Sequence, residues 1–287
     1  MDSMNKLSRA KRTQIIAALV EGSSIRSTCR MTGAAKGTVL KLLADVGQVC
    51  ADYHDENVRG LTAERIQCDE IWAFVYAKAK NVPKDYKHIF GVGDVWTWVG
   101  IDADTKLVAS WMVGGRDAHS ARLFMEDLSR RLAHRVQLTT DGHAPYLKAV
   151  EDAFDDVGID YATLVKLYGS DSEQEKRYSP AKCVGTDSNV ITGKPDPKHV
   201  STSYIERQNL SMRMGMRRFT RLTNAFSKKL ANLEAALAIY YLHYNFVRVH
   251  QTLGTTPAVA AGVALHEWTI EEIVGLLEAR EILQVSN

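Results

Sequence analysis

The sequence predicts an α/β chain, a layered domain built on a mixed sheet flanked by helices and preceded by a small all-α unit. Three observations predict it. Residues 7–48 fall into short helical runs broken at Gly22 and Gly33, residues 66–115 hold three runs rich in β-branched and aromatic side chains, and beyond residue 119 helical and strand-like runs alternate. A chain of 287 residues, 45% of them hydrophobic, has the length for one large domain and a small one.

The first unit reads as LSRAKRTQIIAALVEG, SSIRSTCRMTG and AKGTVLKLLADVG, three helices of which the second can be capped by Ser23 or Ser24. A tri-helical unit with a Gly-containing turn before its last helix is the helix-turn-helix pattern. That arrangement would present Lys36, Thr38 and Lys41 on the polar side of the third helix, toward bases or phosphates in a major groove. The same composition also suits a helical protein-interaction module. The polar stretch ADYHDENVRG (51–60) then reads as a linker.

IQCDEIWAFVYA (66–77), DVWTWVGIDADT (94–105) and LVASWMVGG (107–115) read as three mostly antiparallel strands, whose Trp72, Trp96, Trp98 and Trp111 are expected in the core. A helix over 119–134, a strand over 136–140, a helix from Ala144 to Phe154 and a strand over 162–168 complete a β-β-β-α-β-α-β order. Residues 169–202, rich in Ser, Asp, Lys, Gly and Pro, read as a long mobile loop. Helices are expected again over Ser203–Arg218 and Lys228–Tyr244, and a last acidic, amphipathic one opens on a Thr269–Glu272 capping box.

The net charge of +2 conceals a separation of charge. Residues 1–48 carry a net +5 and residues 201–250 a net +6, so the remainder is strongly acidic. Two basic regions around an acidic one suit a chain that holds a polyanion and keeps carboxylates for another task, although solvated helix faces give the same counts. The four scattered cysteines form no C-x-x-C pair, which argues against a zinc ribbon or a disulfide framework. No apolar run approaches the roughly 20 residues of a membrane span. With no apolar signal-peptide core at the N-terminus either, the chain is expected in the cytoplasm.

Three acids stand where surface acids are not expected: Asp69 inside an apolar strand, Asp141 at a strand end before Gly142, and Glu206 near the start of a helix. They lie 72 and 65 residues apart, so only folding could bring them together. Carboxylates suit hard cations such as magnesium, and a pair of such ions suits an in-line displacement at phosphorus. Asp69 would bridge the two ions, with Asp141 and Glu206 completing one side each. Each acid also has a plainer reading. Asp69 or its neighbour Glu70 could face solvent, Asp141 could be a cap or turn residue, and Glu206 could pair with a nearby Arg. Asn209, Arg213 and Arg217 follow Glu206 at helical steps, as a DNA-facing row or a solvated basic face. His143 could assist a proton transfer or touch phosphate, or serve as a structural histidine at a helix start.

The segments C-D-E-I-W, T-T-D-G-H, Y-I-E-R-Q-N and Y-N-F-V-R-V-H-Q-T-L-G-T-T-P-A resemble bacterial insertion-sequence transposases of the Asp-Asp-Glu class, the insertion-sequence-one type in particular. The resemblance covers roughly residues 7 to 260. It implies a ribonuclease-H-like fold over residues 65–245, Asp69, Asp141 and Glu206 as metal-binding catalytic residues, and magnesium as cofactor with manganese able to replace it. It also implies double-stranded DNA as partner and a homodimer or larger assembly pairing two transposon ends. The expected division is a DNA-binding unit 1–48, a linker 49–64, a catalytic domain 65–262 and a C-terminal helix 263–287. Tyr244, Asn245, Arg248, His250 and Leu253 match a common transposase ending, with packing as a sufficient role. Members of that type often carry a cysteine zinc element ahead of the helix-turn-helix, and this chain has none. A transposase-derived DNA-binding regulator and a nuclease of the same fold are the competing readings.

Overall fold

The computed structural model describes residues 6–156, 158–168, 183–220 and 224–285. Helices α1 (Arg9–Val20), α2 (Ile25–Thr32) and α3 (Lys36–Asn57) open the chain. Ser8 and Ser24 cap the first two by accepting the amides of Lys11 and Ser27, and α2 ends at Gly33.

The third helix is longer than the sequence suggests. Residues 49–57 of the expected linker are helical, because Val49, Cys50 and His54 continue the stripe begun by Val39, Leu42, Leu43 and Val46. Gly47, where the pattern suggested an end, is instead where another helix comes closest: a Cβ there would lie 2.4 Å from that of Ala235. The polar stretch misleads because its polar groups need only cover the outer side of a helix whose inner side is apolar.

Six strands form one mixed sheet in the order β3-β2-β1-β4-β5-β6. They are β1 (Arg65–Val75), β2 (Gly93–Asp102), β3 (Val108–Gly114), β4 (Gln137–Thr140), β5 (Asp160–Tyr168) and β6 (Cys183–Thr192). β1, β2 and β3 run antiparallel, whereas β1, β4 and β5 are parallel neighbours joined through α4 (Ala118–Arg131) and α5 (Pro145–Ala153). β6 corrects the expected loop: of residues 169–202, 169–182 lie outside the described residues, and Cys183–Thr192 pairs antiparallel with β5. Its residues face solvent, so no alternation of burial marks it in the sequence.

The sheet is covered on both faces. Phe124 and Leu128 of α4 close over Gly100 and Cys68. On the opposite side the Gln67 carboxamide accepts the amides of Tyr204 and Ile205, at 2.9 and 3.2 Å, and so seats the start of α6 (Ser203–Gly215) on β1. α7 (Leu230–Leu242) packs on α3 and runs on into a wide helical turn through Val247. That turn holds Asn245, fully buried, whose carboxamide both accepts from and donates to the Val108 backbone and thereby pairs the outer edge of β3. One short turn of helix, α8 (Pro257–Ala260), leads to α9 (Ile270–Val285), which opens on the expected Thr269–Glu272 reciprocal cap. α9 lies against α1 and α3, with Glu281 on Lys6 and Arg12, Glu278 near Arg9, and Arg280 on Asp52. Among the described residues no helix is long and apolar enough to cross a membrane.

Two buried histidines give this architecture an acid limit. Burial, with Arg131 beside it, lowers His54 from 6.5 to about 4, and burial with Arg248 does the same to His243. A depressed histidine stabilises the fold above the unfolded value of 6.5, and that stabilisation is lost as pH falls toward 4. Thermal melts are expected to drop steeply over that window, and His54→Gln is expected to reduce the slope. A wild-type melting temperature flat from pH 7 to 4 would contradict this.

Candidate functional site

The parallel pairing of β1 with β4 brings Cys68 beside Thr140, so Asp69, in the middle of β1, and Asp141, just past the end of β4, come next to each other. Gly142 allows the arrangement, since a Cβ there would meet Val165 of β5 at 2.6 Å. Oxygens of Asp69, Asp141 and Glu70 lie within 4.8 Å of one another. They open into a cavity of about 520 Å³, whose walls include Lys166, Thr202, Glu206, Asn209 and Arg213.

Each acid is held differently. Asp69 accepts the Glu70 amide at 2.8 Å and the Asn209 carboxamide at 2.9 Å. Burial and the charges of Glu70 and Asp141 nevertheless push its carboxyl up to about 7. The Glu70 side chain is almost wholly buried and takes Arg116 at 2.7 Å and the Tyr146 hydroxyl at 3.1 Å. Asp141 accepts the His143 amide at 3.0 Å, a turn bond, and has Arg116 at 3.8 Å. Its turn role and its place in the cluster therefore coexist.

Of the three acids singled out in the sequence, two converge, and the third lines the same cavity outside their cluster. Glu206 accepts the Thr202 hydroxyl at 2.6 Å and is paired with Lys166 of β5, so it has a cationic partner, though not the arginine its own helix suggested. Asn209, expected on a DNA-facing row, is buried beneath Asp69 and acts on that carboxylate. Arg213 does face the cavity, whereas Arg217 lies beyond the end of α6 and lines no part of it. His143 packs against Trp98 and Tyr146, its Nε2 3.9 Å from Glu70. Lys36 and Lys41 are exposed and Thr38 half-buried on the first turns of α3, and none of them lines this cavity.

Sequence reasoning missed Glu70 and Arg116. Alternation along a strand sends Glu70 to the face opposite Asp69, which it does obey in reaching Tyr146, but its longer side chain still ends beside Asp141. Arg116 stands in the turn after β3 with no local pattern to mark it.

The donor set fits a hard divalent cation. All its atoms are carboxylate oxygens within 4.8 Å of one another, and burial together with this crowding raises Asp69. Glu70 is already satisfied by Arg116 and Tyr146, which leaves Asp69 and Asp141 as the acids of the cluster that could take an ion; Glu206, paired with Lys166, lies outside the cluster.

Fold and site thus define an α/β chain with a carboxylate cluster where β4 ends beside the middle of β1. No protein-family model and no curated protein matches the chain in sequence. Among solved structures it is similar to the Mos1 strand transfer complex (10% identity over 98% of this chain and 79% of that one, TM-score 0.36). A piggyBac transposase synaptic complex with hairpin DNA (10%, 94% and 69%, TM-score 0.39) and a Mos1 mariner paired-end complex with Mn (12%, 84% and 78%, TM-score 0.29) are also similar. Overlays at these scores are loose, and the function is read from the site's own side chains.

Proposed function

We propose that the chain is a DNA transposase with a ribonuclease-H-like catalytic domain, Asp69, Asp141 and Glu206 being its catalytic and metal-binding residues. The observation that carries this reading is the meeting of Asp69 and Asp141 where β4 ends beside β1, with Glu206 lining the same cavity and Arg116 and Lys166 paired with acids there. Two divalent cations bound there, magnesium with manganese able to substitute, would activate the attacking oxygen and stabilise the leaving oxygen of a phosphodiester.

The chain's own groups supply the rest. Asn209 orients the Asp69 carboxylate, and Arg116 and Tyr146 hold the Glu70 carboxylate in place beside Asp69 and Asp141. Arg213 is placed to meet a DNA phosphate at the cavity wall. His143 lines up behind Glu70, where it buttresses the cluster. α1–α3 act as the helix-turn-helix unit that recognises element ends, Lys36, Thr38 and Lys41 reaching the groove, and Arg217 adds to the basic surface beyond α6. Two copies would pair two ends of an insertion sequence resident in a bacterial chromosome.

The test mixes full-length protein with labelled duplex carrying the ends of its own element, supercoiled target and magnesium. Wild type is expected to yield joined products, and Asp141→Asn to yield roughly 10³-fold fewer, as the loss of several kcal/mol of charge stabilisation requires. Cutting without joining would make the protein a nuclease instead. Specific binding without cutting would make it a regulator.

A further inference from the structure

A second cavity, of about 540 Å³, adjoins the carboxylate cavity, and Arg213 lines both. Its walls are of a different kind. Trp72 and Phe74 of β1 and Phe226 form a row of half-buried rings, with centroids 5.7 Å apart for the first pair and 4.8 Å for the second. Trp72, expected in the core from the sequence, instead presents part of its ring here. Lys78 stands 5.6 Å over the Trp72 ring, and Lys228 4.7 Å over that of Phe226.

Packing alone would leave this cluster apolar, but Arg218 is drawn in among the rings. Its Nε donates to the Ser227 hydroxyl at 2.8 Å, and no carboxylate among the described residues pairs with it. Burial lowers its pKa to about 10, as befits a partly buried guanidinium with no carboxylate beside it among the described residues. A ligand that satisfies this cavity brings a planar ring for Trp72, Phe74 and Phe226 and an anion for Arg218. A nucleotide carries both. Bases inside a duplex are stacked on each other and cannot offer a face to these rings, so the nucleotide must be unpaired.

We propose that this cavity binds one unpaired nucleotide of the DNA strand next to the phosphate held at the carboxylates, its base against Trp72, Phe74 and Phe226 and its phosphate at Arg218 and Lys78. The position along the strand rests on the reading of the neighbouring cavity as the DNA-cutting site, whereas the preference for an unpaired nucleotide rests on the cavity's own side chains. Arg213, lining both cavities, would sit between the two adjacent phosphates.

The test is a fluorescence titration of the full chain in chelator, without divalent ions, so that cutting plays no part. Two probes are compared: a blunt duplex, and the same duplex ending in a short single-stranded tail that carries a fluorescent adenine analogue. Wild type is expected to bind the tailed duplex about tenfold more tightly and to quench the analogue. Trp72→Ala is expected to erase that preference and Trp72→Phe to keep it. Arg218→Gln removes a half-buried charge that has no carboxylate partner among the described residues, so it is expected to fold as wild type does, to weaken the tailed duplex and to leave the blunt one unchanged. It keeps the test decisive if Trp72→Ala does not fold. Equal affinity of wild type for both probes, or an unaltered preference in Arg218→Gln, would overturn the proposal. A protein that shows the preference but joins no DNA in magnesium would keep this site and lose the transposase reading.

Discussion

Asp69→Asn is expected to abolish magnesium-dependent joining and, in the same protein, to raise the melting temperature at pH 8. The two effects have one cause. Burial and the adjacent Glu70 and Asp141 raise the Asp69 carboxyl from 3.8 to about 7 in the metal-free protein. A carboxyl raised in the folded state binds its proton more tightly there than in the unfolded chain, so stability falls as pH climbs from 3.8 through 7, and the full cost is present above 7. Asparagine keeps the shape and the Asn209 contact without the charge. Relief on the order of 2 kcal/mol, or several degrees in a chain of this size, is expected. Magnesium is expected to raise the melting temperature of wild type by mass action and to leave the variant where it is. A variant that melts below wild type at pH 8, or that still joins DNA, would show that Asp69 is a structural acid.

Arg131→Ala is expected to cost about 3–5 kcal/mol, the largest loss of stability from a single truncation outside the apolar core. Arg131 sits on the last turn of α4, 5% exposed. It grips Asp127 through two nitrogens, at 2.7 and 2.9 Å, and reaches Asp55 at 2.8 Å and the Val58 carbonyl at 3.1 Å. One guanidinium therefore fastens the end of α3 to the helical layer over the sheet. Burial works against the Asp127 charge, yet Arg131 and the Ser110 hydroxyl hold its carboxyl below the usual range. Alanine would strand that carboxylate and the Val58 carbonyl at the end of α3. Urea unfolding measures the loss, and a value below about 1 kcal/mol would place this network with ordinary surface ion pairs. Substitution by methionine, which fills the space but makes none of the bonds, is expected to recover only part of it.

The reach of the sequence can be judged residue by residue. β1, β2 and β3 follow from runs rich in β-branched and aromatic residues, α4 from its helical spacing and β4 from a short apolar run, and the strand–acid–glycine ending at Asp141 is visible because polar residues are rare at such points. The end of α3 and all of β6 escape the same reasoning. Residues 51–57 are polar because they cover the outside of a helix, and β6 has no buried side to alternate against.

What sequence reasoning could establish about this protein is the kind of elements it contains and the residue types its chemistry needs: acids out of place in apolar surroundings, and basic stretches on either side of them. Folding alone selected the partners. The register of β1 against β4 joined Asp69 to Asp141, the length of the Glu70 side chain returned it to their company, and Arg116, Lys166 and Asn209 arrived from elements far along the chain. Local pattern reports whether a side chain is turned inward, because burial repeats with the period of its own strand or helix. Which charge waits there depends on the pairing of distant segments, and that is a property of the packed chain.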